Sequence, residues 1–300
     1  MEFFSKEQLL QNIKESNHRE KDEPINILCC INDGYVNQLI ALMTSIRHFC
    51  NRKINLYVLS ASEFSEKNIS LISEKMKILN ITPWAKVIKL PELQFNKGEV
   101  WSIDVYLRVF AFDLLPKNVK KILYIDGDAL AYNDISELYS INLENKLLAY
   151  ALEFNVDTHE TYERRRRYGI THDYFNSGVL LMNLEQQRKM WRLDKIIAYI
   201  NQTWFEFPDQ DLLNMLTKEE DIVLMPYRNN YQSWWELKDR HDLVVVNPTI
   251  IHFCGLIKPW QKNDWLYATQ LYCECVELAG LKDFCKDVLP KEKVKKQRKK

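Results

Sequence analysis

Glycine is scarce in this chain: seven residues in 300, about a third of the usual ~7%. A chain so poor in glycine is not built on glycine-rich loops, and each glycine it keeps is worth questioning. No apolar run approaches the ~20 residues that a bilayer span needs. The N-terminal MEFFSKEQLLQNIKES mixes charges and lacks the apolar core of a signal peptide, so no leader is expected. Seven cysteines (Cys29, Cys30, Cys50, Cys254, Cys273, Cys275, Cys285) form no regular framework. Their odd number, with no leader, points to reduced thiols in a cytoplasm. Cys273-Glu274-Cys275 has no matching second pair and reads as packing, not as a zinc site. There is no GxGxxG after the first apolar run, no GxxxxGK[ST] and no GxSxG, which excludes the dinucleotide fingerprint, the P-loop and the nucleophile elbow.

What is present is an ordinary globular composition, 46% hydrophobic and 27% charged, with a formal net charge of zero. That zero hides an asymmetry. The last ten residues, KEKVKKQRKK, hold seven of the 41 basic side chains and one acid, leaving 34 basic against 40 acidic before them, a net of −6. The tail reads either as a solvated segment or as a polybasic tether to anionic lipid head groups, at ~1 kcal/mol per basic residue near the surface. An acidic body makes nucleic acid a poor partner.

Apolar runs at 25–31, 54–60, 85–90, 121–125, 147–151, 178–183, 223–225 and 249–253 read as strands. Helical spacing follows the first two: Val36, Leu39, Ile40, Met43, Ile46 and Phe49, then Ile69, Ile72, Met76 and Leu79 behind a Ser65 cap. Further helices are expected at 101–115, 184–200 and from about Asp209. Alternating strands and helices argue for parallel βαβ units and a doubly wound α/β sheet, mostly parallel and flanked by helices. No linker divides the chain. We expect one domain over 24–265, an N-terminal helical extension over 1–23 outside the core, and a C-terminal helix and basic tail over 266–300.

The most chemical stretch is KILYIDGDAL, 121–130. Side chains alternate along extended backbone, so Asp126 and Asp128 point the same way at the end of a buried strand. Two such carboxylates repel unless a cation sits between them, and hard ions such as Mg²⁺ or Mn²⁺ suit them. The plain alternative is a polar turn. A second segment, IIHFCGLIKPW at 250–260, puts His252 at the end of an apolar run, followed by Gly255 and Lys258. By itself His252 reads as a structural histidine. With the two aspartates it makes a three-ligand metal site with room for phosphate oxygens, and Lys258 can neutralise a diphosphate as a point charge. In open α/β sheets ligands bind at the carboxyl ends of strands, where Asn32-Asp33 and Asp126–Asp128 both fall.

Six motifs in order, CCINDGY, SIDVYLRVF, LYIDGDAL, YFNSGVLLMNL, FPDQDLLN and HFCGLIKPW, resemble the family 8 glycosyltransferases over about residues 25–265. The resemblance implies a GT-A fold and a retaining transfer of a hexose, galactose or glucose, from a UDP-sugar bound through Mn²⁺ (or Mg²⁺). It implies Asp126, Asp128 and His252 as metal ligands. The segment from Cys30 to Tyr35, with Asn32 and Asp33, would hold uracil and ribose. Arg108 would contact sugar or diphosphate, and Gly127, Gly255 and Lys258 would border the diphosphate. Asn176, Asp209 and Gln210 would line the donor sugar, and Glu153 would face the acceptor. Without the resemblance, Arg108 reads as a surface ion pair, Asn176 as a turn before a strand and Asp209 as a helix cap. Related enzymes often carry Ala-Asp or Thr-Asn where this chain has Cys30-Ile31-Asn32.

The resemblance also implies a glycan or lipid-linked glycan as acceptor. It suits a cytoplasmic protein whose tail, 291–300, touches the inner face of an anionic membrane. Two other readings stand beside transfer. One is a nucleotide-sugar-binding protein without turnover. The other is an aspartyl phosphatase of haloacid-dehalogenase type, which also follows a strand with DxD but expects Thr or Val where this chain has Leu130.

Overall fold

The computed structural model describes residues 3–19, 23–90, 93, 102–233, 246–261 and 266–288. In chain order the elements begin α1 (Lys6–Ser16), β1 (Ile25–Cys30), α2 (Val36–Phe49), β2 (Ile54–Ser60), α3 (Glu66–Ile78) and β3 (Ile81–Val87). They continue α4 (Ala111–Leu114), β4 (Lys121–Ile125), β5 (Ala129–Ala131), α5 (Ser136–Tyr139), β6 (Leu148–Leu152), α6 (His159–Tyr168) and β7 (Phe175–Asn183). The last are α7 (Leu184–Met190), α8 (Leu193–Gln202), α9 (Pro208–Leu216), β8 (Ile222–Leu224), β9 (Tyr231–Gln232), β10 (Ile250–His252) and α10 (Leu266–Leu278).

Seven strands form the central sheet in the order β3-β2-β1-β4-β7-β6-β8. Four of its six neighbouring pairs are parallel, and β7 runs against both β4 and β6. The order reverses direction between β1 and β4, which makes a crevice at their carboxyl ends. The mostly parallel, helix-flanked α/β sheet expected from the sequence is therefore present. The doubly wound pattern stops at β7. The chain leaves β6, turns through α6 and Gly169 (φ 67°), and re-enters the sheet at the same end, so the next strand must run back. A second sheet, β5-β10-β9, brings His252 of β10 beside the carboxyl end of β4.

One face of the large sheet buries Ile25, Ile27, Leu39, Met43, Leu123, Ile125 and Leu181; the other buries Leu28, Ile122, Tyr124, Leu180, Met182, Leu212 and Leu213. Strand β4 is thus apolar on both faces, as its sequence run requires. Each fully buried Leu or Ile contributes about 1.5–3 kcal/mol.

Several boundaries differ from the sequence reading. The third strand starts at Ile81, four residues early, and includes Pro83; β3 is an edge strand, where a missing N–H is tolerated. Residues 103–115 do not form one helix. A 3-10 turn, Ile103–Arg108, precedes the short α4 because Asp104 bonds the Ala61 N–H and Arg108 is drawn inward; Trp101 lies outside the described residues. The long helix over 184–200 breaks at Trp191, which adopts an extended backbone to place its ring edge-on against Phe112 at 5.8 Å.

The N-terminal helix is part of the core rather than outside it. Phe4 and Leu9 are buried, Asn12 Nδ2 donates to His48 O at 2.7 Å, and Ser5 N–H donates to His48 Nε2 at 2.8 Å. Helix α10 likewise buries Leu271, Tyr272 and Val276 against Phe253. The basic tail, 291–300, lies outside the described residues. Among those described, no helix is long and apolar enough to cross a membrane.

Burial holds His48 neutral, its pKa pulled down to about 4. The unfolded chain then binds the extra proton between about pH 6.5 and 4, so this group's stabilisation is complete above 6.5 and is lost as pH falls through 4. The loss by pH 4.5 should be on the order of 2–3 kcal/mol. Denaturant melts at pH 7 and 4.5 check this: His48→Gln should be less acid-sensitive than the parent, and equal sensitivity would remove His48 as a cause.

Candidate active site

The two halves of the site meet through strand pairing. β10 lies antiparallel to β5 with His252 opposite Ala129, and Phe253 N–H donates to Asp128 O at 2.9 Å. The imidazole from residue 252 therefore arrives beside the aspartates that end β4. His252 Nε2 is 3.6 Å from Asp126 Oδ2 and 3.3 Å from Asp128 Oδ1. One donor atom from each of Asp126, Asp128 and His252 lies within 4.8 Å of the others.

Gly178 makes the space for this convergence. A Cβ there would stand 2.0 Å from His252 Cε1 and 2.9 Å from Asp126 Oδ2. The donor set fits a divalent cation. Two carboxylates and an imidazole suit Mn²⁺ or Mg²⁺ sites with positions left for phosphate. The second ring nitrogen is also engaged: His252 Nδ1–H donates to Asn230 Oδ1 at 3.1 Å, while Asn230 Nδ2 donates to Asn176 Oδ1 at 2.9 Å. That bond leaves Nε2 turned to the aspartates, where it could serve as a ligand atom.

Cations surround the acids. Arg108, 5% exposed, reaches Asp126 through Nη2 at 2.8 Å and Asp209 through Nη1 at 3.2 Å, and its guanidinium lies 4.4 Å from the Tyr124 ring centroid. The Tyr124 hydroxyl donates to Asp126. Lys258 Nζ donates to Asp128 Oδ2 at 2.5 Å and to Phe253 O at 2.9 Å. Burial pushes the Asp128 carboxyl up, but Lys258 and His252 outweigh it and hold the group well below the usual carboxylate range. Burial pulls the His252 imidazole down, and Cys254 and Asp128 reverse the direction.

An amide network lies beside them. Gln210 Nε2 and Asn176 Nδ2 both donate to Glu153 Oε2, at 3.0 and 3.1 Å. Gln210 Oε1 accepts the Ser177 N–H at 3.0 Å, and Ser177 Oγ donates to Asp209 Oδ2 at 2.7 Å. Burial raises the Asp209 carboxyl, opposed by Arg108. Next to Glu153 opens a cleft of about 530 Å³ lined by Phe154, Val156, Leu224, Met225, Pro226 and Tyr227.

The sequence-derived residues are not all placed alike. Asp126, Asp128, His252, Lys258, Arg108, Asp209, Gln210 and Asn176 form one connected cluster. Arg108 is buried in this cluster and not a surface ion pair, and Asn176 lies within β7 instead of a turn. Cys30 is the last residue of β1. Tyr35 packs edge-on to Trp260 at 6.0 Å, with Gly127 between it and Ile31. Asn32 accepts the Gly34 N–H at 3.0 Å. Asp33 instead turns to the start of α3, accepting from Ser65 N–H at 2.9 Å and Asn68 Nδ2 at 2.8 Å. Gly255 takes φ +84°, a conformation that favours glycine. Sequence reasoning missed Ser177 and Asn230. Ser177 sits inside a motif already singled out, whereas nothing in YRNNYQ marks Asn230.

A parallel α/β half, a reversed β7 and an acidic pair at the end of a central strand are the architecture of the GT-A glycosyltransferases. A model of glycosyl transferase family 8 matches residues 26–264, and the chain belongs to that family. Lipopolysaccharide 1,2-glucosyltransferase of Escherichia coli (strain K12) is 28% identical over 274 residues, covering 87% of this chain and 80% of that protein. The solved structure of the galactosyltransferase LgtC with donor and acceptor sugar analogues superposes with a TM-score of 0.69 at 23% identity, over 89% of this chain and 98% of that one. The bifunctional glycosyltransferase WbbM superposes with a TM-score of 0.73 at 17% identity; 89% of this chain matches 52% of WbbM.

Gly178→Ala should keep the secondary structure yet weaken Mn²⁺ binding by about tenfold or more, because the new methyl displaces His252 from Asp126. A paramagnetic Mn²⁺ titration reads this directly, and parental affinity in the variant would separate His252 from the aspartates.

Proposed function

We propose that this chain is a retaining hexosyltransferase that moves galactose or glucose from a UDP-sugar to a glycan or lipid-linked glycan, with Mn²⁺ or Mg²⁺ held by Asp126, Asp128 and His252. One observation carries the reading: acids from the end of β4 and the imidazole from β10 converge beside Lys258, at the sheet's switch point. The bound cation would supply charge neutralisation for the diphosphate leaving group. We take 24–265 as the transferase unit, which the family match over 26–264 supports.

The chain's own groups divide the remaining work. Lys258 is placed to exchange Asp128 for a diphosphate oxygen as a point charge, and Gly127 and Gly255 let backbone approach the same group. Arg108 fixes two carboxylates at once, orienting Asp126 to the metal side and Asp209 to the sugar side. The segment Cys30 to Tyr35 would take uracil and ribose, with Asn32 and Tyr35 at the site. The Asp33 carboxylate would act there by pinning this loop to α3.

Asn176, Asp209 and Gln210 would line the hexose, with Glu153 between it and the cleft that we assign to the acceptor. Gln210 is an amide whose oxygen already accepts an N–H, so it is a poor nucleophile. We therefore favour same-face attack, in which the leaving phosphate takes the acceptor's proton. Positioning of acceptor and donor can lower such a barrier by ~7–11 kcal/mol.

A panel of UDP-hexoses tested for Mn²⁺-dependent release of UDP needs no acceptor and tests the reading. The parent should hydrolyse UDP-galactose or UDP-glucose slowly, and Asp128→Ala should lose about a hundredfold or more. Undiminished release by the variant, or by the parent in excess EDTA, would overturn the scheme.

The tail would act as a tether at a cytoplasmic membrane face. Removing 291–300 should weaken sedimentation with anionic vesicles, by ~1 kcal/mol for each basic residue near the surface, and spare hydrolysis in solution. Equal vesicle binding by both forms would discard the tether.

A further inference from the structure

Helix α9 presents Asp209 and Gln210 to the site from its first turn, and that turn lacks an ordinary cap. Phe207 precedes it without a capping side chain, and Pro208 has no N–H. The missing cap is supplied from within. Asp211 Oδ2 accepts the Phe207 N–H at 2.9 Å, and its Oδ1 accepts the Tyr174 hydroxyl. Asp211 is 0% exposed. It lies ~200° around the helix from Asp209, so it faces away from the donor side.

A buried arginine completes the arrangement. Arg164 of α6 lies with Nε 3.6 Å from Asp211 Oδ1 and Nη2 3.2 Å from Glu206 Oε1. Its guanidinium stands 4.5 Å from the Phe207 ring centroid and 5.4 Å from that of Tyr174. Three segments meet here: α6, the residue before β7 and the turn before α9. Two of them deliver the groups assigned to the hexose. Tyr174 leads into Phe175-Asn176-Ser177, and Phe207 leads into Asp209-Gln210.

Stability alone is a poor reason for such a cluster, since a buried ion pair is often matched by apolar side chains of similar volume. Burial pushes the Asp211 carboxyl up to about 6, with Tyr174 and the Phe207 N–H opposing. We propose that Asp211, Tyr174 and Arg164 form a positioning device for the transfer step, which sets the first turn of α9 and hence the aim of Asp209 and Gln210 at the sugar. None of the three touches the donor in this proposal, which rests on the reading above.

The test uses the full chain with Asp211→Asn, Arg164→Met, their double variant and the mild Tyr174→Phe, which keeps the fold testable should the others misfold. Two readouts are taken: amide hydrogen exchange across 207–212, and binding of UDP with Mn²⁺ beside turnover of the UDP-hexose. Exchange at 207–212 should rise about tenfold while 121–131 stays protected. The affinity for UDP with Mn²⁺ should hold within about twofold while kcat falls about tenfold or more, the double variant losing no more than the worse single one. Unchanged exchange in every folded variant would overturn the proposal. So would kcat kept despite a lower melting temperature, or equal losses in UDP affinity and kcat. If the parent turns over no nucleotide sugar, the transferase reading fails, and the exchange measurement still decides whether the cluster holds α9.

Discussion

Three residues of main chain, 250–252, laid against 129–131 hold this site together. Until that pairing forms, Asp126 and Asp128 are two like charges at the end of a buried strand, and His252 is a distant imidazole. The antiparallel register puts His252 opposite Ala129, and the Phe253 N–H on the Asp128 carbonyl locks it. A slip of one residue would turn His252 to the other face of the strand. Gly178 on β7 must also stay bare, because its Cβ would occupy the imidazole's place. The site thus depends on contacts among β4, β5, β7 and β10 more than on any single motif.

Charge compensation follows from that geometry. Arg108 is wedged between Asp126 and Asp209, and Lys258 stands on Asp128. Burying such pairs costs desolvation that their attraction only partly offsets, so they are weak devices for stability. Their effect is orientation. The guanidinium holds both oxygens of Asp126 and one of Asp209 in a planar fork, whereas a lysine ammonium on a flexible stem can change partners. An arginine on the inner pair and a lysine at the mouth is the distribution expected of a site whose acids stay fixed while an anionic ligand comes and goes.

Much of this was legible in the sequence because the signals were local. The run ILYI followed by DxD marks β4 and its acids, and the apolar run before His252 marks β10. The helix periods after β1 and β2 mark the parallel half. Elements decided by distant partners were not legible. β7 runs backwards because α6 returns the chain to the same end of the sheet. The expected helix over 184–200 breaks because Trp191 finds Phe112. Only the family resemblance put Arg108 at the site; residue pattern alone made it a surface group, because helical periodicity cannot show that the backbone around 103–108 tightens to a 3-10 turn and sends it inward. Asn230 had no signal, since its role exists only once β9 lies beside β10.

The polar side chains also link the two halves of the site. From His252 the hydrogen bonds run through Asn230 to Asn176, from Asn176 to Glu153, and from Gln210 to the same Glu153 oxygen. Every amide in this path has both ends engaged, so none can flip without leaving a buried group unsatisfied. Asn230 sets which imidazole nitrogen faces the aspartates, and the same chain of amides sets which end of Gln210 faces Ser177. The groups that we assign to the metal and those that we assign to the sugar are therefore coupled through fixed dipoles as well as through Arg108. A substitution on either side should be felt on the other through the tautomer of one histidine and the orientation of three amides, with no movement of the sheet.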